Sequence, residues 1–310
     1  MFYPVRGNPG RPRAGGAMGP VEEVFGARMR EFTTIGIGGP ADRMLFPHSP
    51  REVQEILGRL SAAGDEPLAL GAGSNLLVAD AGIRATVLCL KGNLGRVLFA
   101  ESGSVVAEAG TMLPRFAVLC ALSGLSGAEE LAGIPGTVGG GITMNAGAFG
   151  RSIGQILEWA EVATFDGGLA RIPGKEIGWG YRECRLPVRG ILVRAGFRLA
   201  PSPTDRVFAR MKEQNEKRRA TQPWGMRTFG SIFRNPEGQE AGRLLDGAGM
   251  KGAREGDLSI SEKHANFMVN RGRGHSRDAL RLMERCREAV RRCYGVTLVP
   301  EVRIWGRTDD

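Results

Sequence analysis

Hydrophobic and polar positions change period along the chain, and the period assigns the elements. Residues 43–47 (RMLFP), 86–90, 159–165, 169–172 and 191–199 are short apolar or alternating runs, which predict strands. Residues 67–70, then GAGSN, then LLVAD give strand, glycine loop, strand. Residues 96–100 and 105–108 flank Ser-Gly-Ser as a hairpin, and Asp166-Gly167-Gly168 is a turn. Helical spacing comes between these runs. After Ser49 and Pro50, Val53, Ile56, Leu57 and Leu60 share one face, with Ser as N-cap and Pro in the first turn. Residues 113–122 form a helix stopped by Ser123-Gly124. Pro201 and Pro203 mark a linker, and beyond it residues 204–220 are a charged helix. Residues 239–247 are a short helix with Ala241, Leu244 and Leu245 inward, and 265–270 a strand. In 276–294 the apolar Ala279, Met283, Cys286, Val290 and Cys293 recur every three or four positions. That predicts an amphipathic helix with Ser276 as N-cap, Gly295 as terminator and both cysteines in the core. Residues 296–305 make a last strand.

Composition adds two facts. Glycine is 47 of 310 residues, about twice the ordinary share of roughly 7%. No collagen-like period accounts for it, so tight turns and close backbone approach do. The net charge of +9 is uneven: residues 201–310 hold 22 basic and 15 acidic side chains, while 31–200 hold 15 and 16. A basic C-terminal part beside a neutral, glycine-rich one points to acidic partners such as phosphates or nucleic acid. The length suits two domains. No run of about 18 uncharged apolar residues is present, so no membrane span is expected. Residues 1–20 lack the apolar core of a signal peptide and are expected to be a mobile tail, extending to about residue 30. Five scattered cysteines without C-x-x-C spacing and three histidines argue against a disulfide framework or a metal site, and for a reducing, cytoplasmic setting.

The glycine loops carry the candidate chemistry. Gly71-Ala72-Gly73-Ser74-Asn75 lies between two apolar strands, and Gly133-Ile-Pro-Gly-Thr-Val-Gly-Gly-Gly141 runs on to Met144-Asn-Ala-Gly147. Neither has the G-x-G-x-x-G of a Rossmann turn or the G-K-[ST] of a P-loop. Two such loops, with Ser, Thr and Asn among the glycines, suit a pyrophosphate flanked by planar groups, as in FAD. Ordinary turn glycine is the alternative for either loop alone.

With these loops in place, the chain from about 32 to 306 resembles the UDP-N-acetylenolpyruvoylglucosamine reductase family. The blocks occur in the family's order: TTIGIGGPAD at 33–42, GAGSNLL at 71–77, GIPGTVGGGITMNAG at 133–147, GYR at 180–182, GSIFRNP at 230–236, AGRLLD at 241–246, SEKHANFMVN at 261–270 and PEVR at 300–303. The resemblance implies an α+β fold: a vanillyl-alcohol-oxidase (PCMH)-type, two-part FAD-binding domain over 31–200, split near 93, and a smaller α+β substrate domain over 201–310. It implies non-covalent FAD, NADPH as co-substrate, and reduction of UDP-N-acetylglucosamine-enolpyruvate to UDP-N-acetylmuramate for peptidoglycan, by a monomer. By family position the flavin is held by Gly71, Ala72, Gly73, Ser74, Asn75 and Leu76, and by Gly133, Ile134, Pro135, Gly136, Thr137, Gly139, Gly140, Asn145, Ala146 and Gly147. The resemblance makes Arg182 the stabilising cation, Glu301 the catalytic carboxyl and Ser231 the proton donor to C2, with Tyr181, Arg182, Lys217 and Asn235 on the substrate; Arg218 and Arg219, which end the charged helix with Lys217, are further candidates. No contact is assigned to Lys263 or His264. Phe149 stands where the family often has Tyr, AREGDL follows Gly252, and 182–230 is too short for the Tyr-bearing substrate loop of one subtype. A different oxidase of the same superfamily would share the glycine loops without the Ser231 and Glu301 blocks. A nucleic-acid-binding protein would explain the charge, yet no RNP, KH or zinc spacing supports it.

Overall fold

A computed structural model of the chain describes residues 21–306. Strands β1 (Glu22–Arg28), β2 (Pro40–Phe46), β3 (Leu68–Leu70), β4 (Leu76–Val78) and β5 (Ile83–Cys89), with helix α1 (Pro50–Ala62), build the first part. The sheet order is β1-β2-β5-β3, with β1 antiparallel to β2 and the other pairs parallel. Helix α1 makes the crossover that a parallel pair needs. Its Ser49 hydroxyl accepts the Glu52 N–H at 3.2 Å, and Val53, Ile56, Leu57 and Leu60 are buried with Leu45, Leu88 and Leu90. Strand β1 corrects the expectation of a mobile tail to residue 30; the tail's residues 1–20 lie outside the described residues. Only Ala27 of β1 is buried. An edge strand with one inward residue shows no alternation, so the pattern could not reveal it.

Next comes a five-stranded antiparallel sheet: β6 (Val97–Phe99), β7 (Ser104–Glu108), β8 (Leu157–Thr164), β9 (Leu169–Pro173) and, after the hairpin β10 (Gly178–Gly180) and β11 (Glu183–Arg185), β12 (Gly190–Arg198). Its order is β9-β8-β12-β7-β6. Helices α2 (Leu113–Leu122), α3 (Val138–Thr143) and α4 (Thr204–Thr221) accompany it. Phe116 of α2 and Phe197 of β12 pack as a tilted pair, 4.8 Å between ring centroids. Val207 and Met211 of α4 are buried in this same core. Pro201 and Pro203 are therefore not a free linker: Ala200–Pro201 pairs with Leu125–Ser126, and α4 continues the first body past the expected boundary at 201.

The third part holds α5 (Ala241–Gly247), β13 (Arg254–Glu255), β14 (Leu258–Ile260), β15 (Met268–Asn270), α6 (Ser276–Tyr294) and β16 (Arg303–Trp305). Strands β13, β14 and β15 form an antiparallel meander. The core includes Phe229, Ile232, Phe233, Leu245, Leu258, Met268, Leu282, Cys286 and Val290, and Ile35, Ile37 and Leu77 from the first part enter it. Cys293 is exposed, against expectation, and Leu282 and Ala289 take the buried positions. Gly295, at φ +70°, ends α6 as expected. Ser276 is the first helical residue rather than the cap. Its N–H and hydroxyl donate to the Asp80 carboxylate at 2.7 and 2.9 Å, and its hydroxyl accepts the Asp80 N–H at 2.9 Å. A carboxylate 196 residues distant thus caps α6. Of the last expected strand only β16 forms, and it pairs parallel with β4. That pairing returns the end of the chain to the exit of the first glycine loop.

Candidate active site

Hairpin β10–β11 turns through Tyr181 and Arg182 alone. A two-residue turn needs a residue with positive φ, normally Gly or Asn. Here Arg182 takes it, at φ +55°. An arginine in the left-handed region is strained, and such strain persists only where surrounding contacts hold it. Two contacts do. The Asn145 amide donates to the Gly180 carbonyl at 3.0 Å, and the Arg182 Nε donates to Glu301 Oε1 at 2.9 Å. The guanidinium also lies 5.2 Å from the centroid of the exposed Tyr181 ring.

Glu301 reaches Arg182 because two segments fix its backbone. Its N–H donates to the Ile232 carbonyl at 2.8 Å, and its carbonyl accepts the Asn75 amide at 3.1 Å. The next-but-one residue, Arg303, donates its N–H to the Asn75 carbonyl at 3.1 Å as β16 begins. The expected catalytic residues are therefore linked in a chain: Ser231 precedes Ile232, the Ile232 carbonyl holds the Glu301 N–H, and the Glu301 carboxylate holds Arg182. Burial pushes the Glu301 carboxyl above the usual carboxylate range. The Arg182 charge and hydrogen bond, then the Arg234 charge, pull it back without cancelling the burial.

Two further cations join the site: Arg234, inside the 230–236 block, and Arg218, a candidate beside Lys217. Arg234 has its Nε buried with no hydrogen-bond partner among the described residues, and its charge acts on Glu301. Arg218, near the end of α4, is half-buried; burial first, then the like charge of Arg182, lower its pKa. Its guanidinium lies 5.7 Å from the Phe149 ring centroid, and a Cβ on Gly133 would fall 2.6 Å from its Cδ. Lys217, the expected contact, is exposed and paired with Glu213 at 2.6 Å. Consecutive helical residues point about 100° apart, so only one of the two can face inward. Asn235, also expected on the substrate, accepts the Ala241 N–H at 3.0 Å at the start of α5. Lys263 donates to the Arg219 carbonyl at the end of α4. His264 accepts the Asn266 N–H on its Nδ1 at 3.2 Å, and burial, with the Lys251 charge, pushes its imidazole below the usual range.

The glycine loops face each other. A Cβ on Gly71 would lie 2.5 Å from the Thr137 hydroxyl, and one on Gly139 would lie 2.9 Å from the Ala109 Cβ. Much of the glycine requirement therefore serves the packing of one loop on the next. Gly136 and Gly140 are different, with no protein atom closer than 3.4 Å to an added Cβ. The backbone N–H groups of Gly71, Ala72, Gly73, Ser74 and Asn75 donate to no acceptor among the described residues. Five free amides in a glycine turn, opposite a second loop with room at Gly136 and Gly140, fit a bound pyrophosphate. The asparagine side chains do not add to this set: Asn75 is spent on Glu301, and Asn145 on Gly180 and the Gly154 N–H.

This α+β architecture, a vanillyl-alcohol-oxidase-type two-part flavin domain followed by a smaller α+β part, defines the class: an FAD-binding oxidoreductase. Residues 41–172 match the family model of the FAD binding domain, and 222–305 that of the UDP-N-acetylenolpyruvoylglucosamine reductase C-terminal domain. The chain is 44% identical over 284 residues to a reductase of that name from Symbiobacterium thermophilum, covering 90% of each. It is 40% identical to the one from Rubrobacter xylanophilus, covering 91% of this chain and 95% of that protein. The crystal structure of the reductase from Thermus caldophilus superposes with a TM-score of 0.79 at 36% identity, over 93% of this chain and 99% of that one. The chain belongs to the UDP-N-acetylenolpyruvoylglucosamine reductase family. Among the described residues no helix is long and apolar enough to cross a membrane.

Proposed function

We propose that Ser231, Arg182 and Glu301 form the reactive centre of an NADPH-dependent, FAD-containing reductase that converts UDP-N-acetylenolpyruvoylglucosamine to UDP-N-acetylmuramate in peptidoglycan precursor synthesis. The observation that carries this reading is the chain of contacts from Ser231 through Ile232 and Glu301 to a strained Arg182. FAD, held by the free amides of 71–75 and the second loop, supplies hydride chemistry when bound. The protein's own task is charge and proton handling. Addition at C3 of the enolpyruvyl group drives electrons into the substrate carboxylate. The guanidiniums of Arg182 and Arg234 stabilise that charge, the unpartnered Arg234 Nε being a donor with no protein acceptor to give up. Glu301 holds Arg182 in place. Ser231 gives its proton to C2; a free hydroxyl is a weak acid, so the neighbouring cations polarise it. Arg218 takes a phosphate of the nucleotide, a role the outward Lys217 cannot fill. A cytoplasmic, monomeric enzyme suits these substrates.

The test is anaerobic. NADPH should bleach the flavin absorbance of the holoenzyme, and UDP-N-acetylenolpyruvoylglucosamine should then restore it with formation of UDP-N-acetylmuramate. Bleaching that the enolpyruvyl nucleotide fails to reverse would refute the substrate.

A further inference from the structure

The block at 261–270 has no role in the chemistry above, yet one of its residues controls where Ser231 stands. Asn266 is 3% exposed, and its carbonyl and side chain are committed to the segment that carries Ser231. Its carbonyl accepts the Ile232 N–H at 2.9 Å, its Oδ1 accepts the Phe233 N–H at 2.9 Å, and its Nδ2 donates to the Phe233 carbonyl at 2.8 Å. The side chain thus continues a strand ladder that the main chain makes only at the Ser231–Phe267 bridge. The turn behind it is tied to itself. Ser261 accepts the Lys263 and His264 N–H groups, His264 accepts the Asn266 N–H, and the Ser261 N–H closes on the Phe267 carbonyl at 2.8 Å. On its other edge the same segment accepts the Glu301 N–H through Ile232 and donates the Arg234 N–H to Val299 at 2.9 Å. Segment 231–234 is therefore gripped between a pre-formed turn and the Glu301 strand. Phe233 is gripped by a side chain alone on the turn side.

We infer that Asn266 is a positioning residue for the reaction, setting the Ser231 hydroxyl; this rests on the proton-donor role of Ser231. Losing either side-chain bond frees Phe233 to shift, and misplacement by about 1 Å can slow a positioned step on the order of 100-fold. The glycine loops lie on other segments, so reduction of the flavin by NADPH has no such dependence.

The experiment measures both half-reactions by anaerobic stopped flow in FAD-saturated Asn266→Asp and Asn266→Ala, each with Ser231 intact and with Ser231→Ala. Asn266→Asp keeps the volume and the acceptor for the Phe233 N–H and carries the test where Asn266→Ala does not fold. With Ser231 present, the substitution is expected to slow reoxidation by the enolpyruvyl nucleotide by roughly 30- to 100-fold and reduction by less than about twofold. In the Ser231→Ala background it should add less than about twofold to either, because the group it positions is gone. Equal slowing of both half-reactions, or an undiminished effect in the Ser231→Ala background, would overturn the inference while leaving Ser231 as donor. Normal reoxidation in Ser231→Ala alone would overturn both.

Discussion

Arg182 offers a test in which backbone and side chain separate. Arg182→Gly and Arg182→Ala both delete the guanidinium and both strand Glu301, so those losses cancel when the two variants are compared. What remains is the backbone at φ +55°. An L-residue pays roughly 1–2 kcal/mol in the left-handed region, which glycine does not pay. Glycine in turn pays about 0.4–1 kcal/mol more than alanine in unfolded-chain entropy. The difference leaves the glycine variant more stable by about 0.5–1 kcal/mol, the reverse of the order at an ordinary site. The assay is urea unfolding of both variants at one saturating FAD concentration, followed by circular dichroism, with the midpoints compared at equal slope. Both should reoxidise with the enolpyruvyl nucleotide about 100-fold or more slowly than the parent, the loss seen when one preorganised donor is removed. An alanine variant as stable as the glycine variant, or more so, would refute the reasoning that a strained turn presents this cation.

Other consequences can be checked in the same protein. Arg218→Gln should raise the nucleotide KM about tenfold or more, as loss of a charge-assisted hydrogen bond implies. Lys217→Gln should leave it within about twofold, because an exposed i,i+4 pair contributes little; steady-state kinetics giving the reverse order would place the phosphate on the outer face of α4. Glu301 has a raised folded-state pKa, so its share of stability is full below the usual carboxylate pKa and is lost as pH rises through the raised value. Urea unfolding across that interval should show the parent losing stability relative to Glu301→Gln and then running parallel above it. A parent that gains on Glu301→Gln over the same interval would mean the Arg182 pair outweighs burial. Asp80→Ala removes the remote cap of α6 and should cost about 1–2 kcal/mol in denaturant unfolding; a loss below a few tenths would show that the cap is unimportant.

Local spacing made much of the fold legible, but only where an element buries one face. Helix α1 and the body of α6 follow from apolar positions three and four apart, α2 ends where Ser123-Gly124 stops it, and Ser49 and Gly295 act as the caps their types suggest. Strand β1 has a single buried residue and left no pattern. The β10–β11 hairpin was invisible because its left-handed residue is an arginine, and a turn is recognised by glycine or asparagine. The pairing of β16 with β4 and the capping of α6 by Asp80 join residues far apart in sequence, which no local window contains. The same limit shaped the site. The blocks pointed to Ser231, Arg182 and Glu301, but an asparagine's amide can serve a ligand or the chain. Asn75, Asn145 and Asn235 brace Glu301, Gly180 and Ala241. Lys217, Arg218 and Arg219 end α4 as a run of three candidate cations, and only the placement of the helix shows that Arg218 is the one turned inward.

The most direct measurement is a crystal structure of the FAD-loaded protein with the enolpyruvyl nucleotide bound. The account predicts the pyrophosphate of the flavin on the amides of 71–75, and the substrate carboxylate against Arg182 and Arg234. It also predicts the Ser231 hydroxyl beside C2, on the face of that carbon from which a proton can be delivered. A flavin seated away from the two glycine loops, or a nucleotide whose C2 lies far from Ser231 with its carboxylate on other residues, would contradict it.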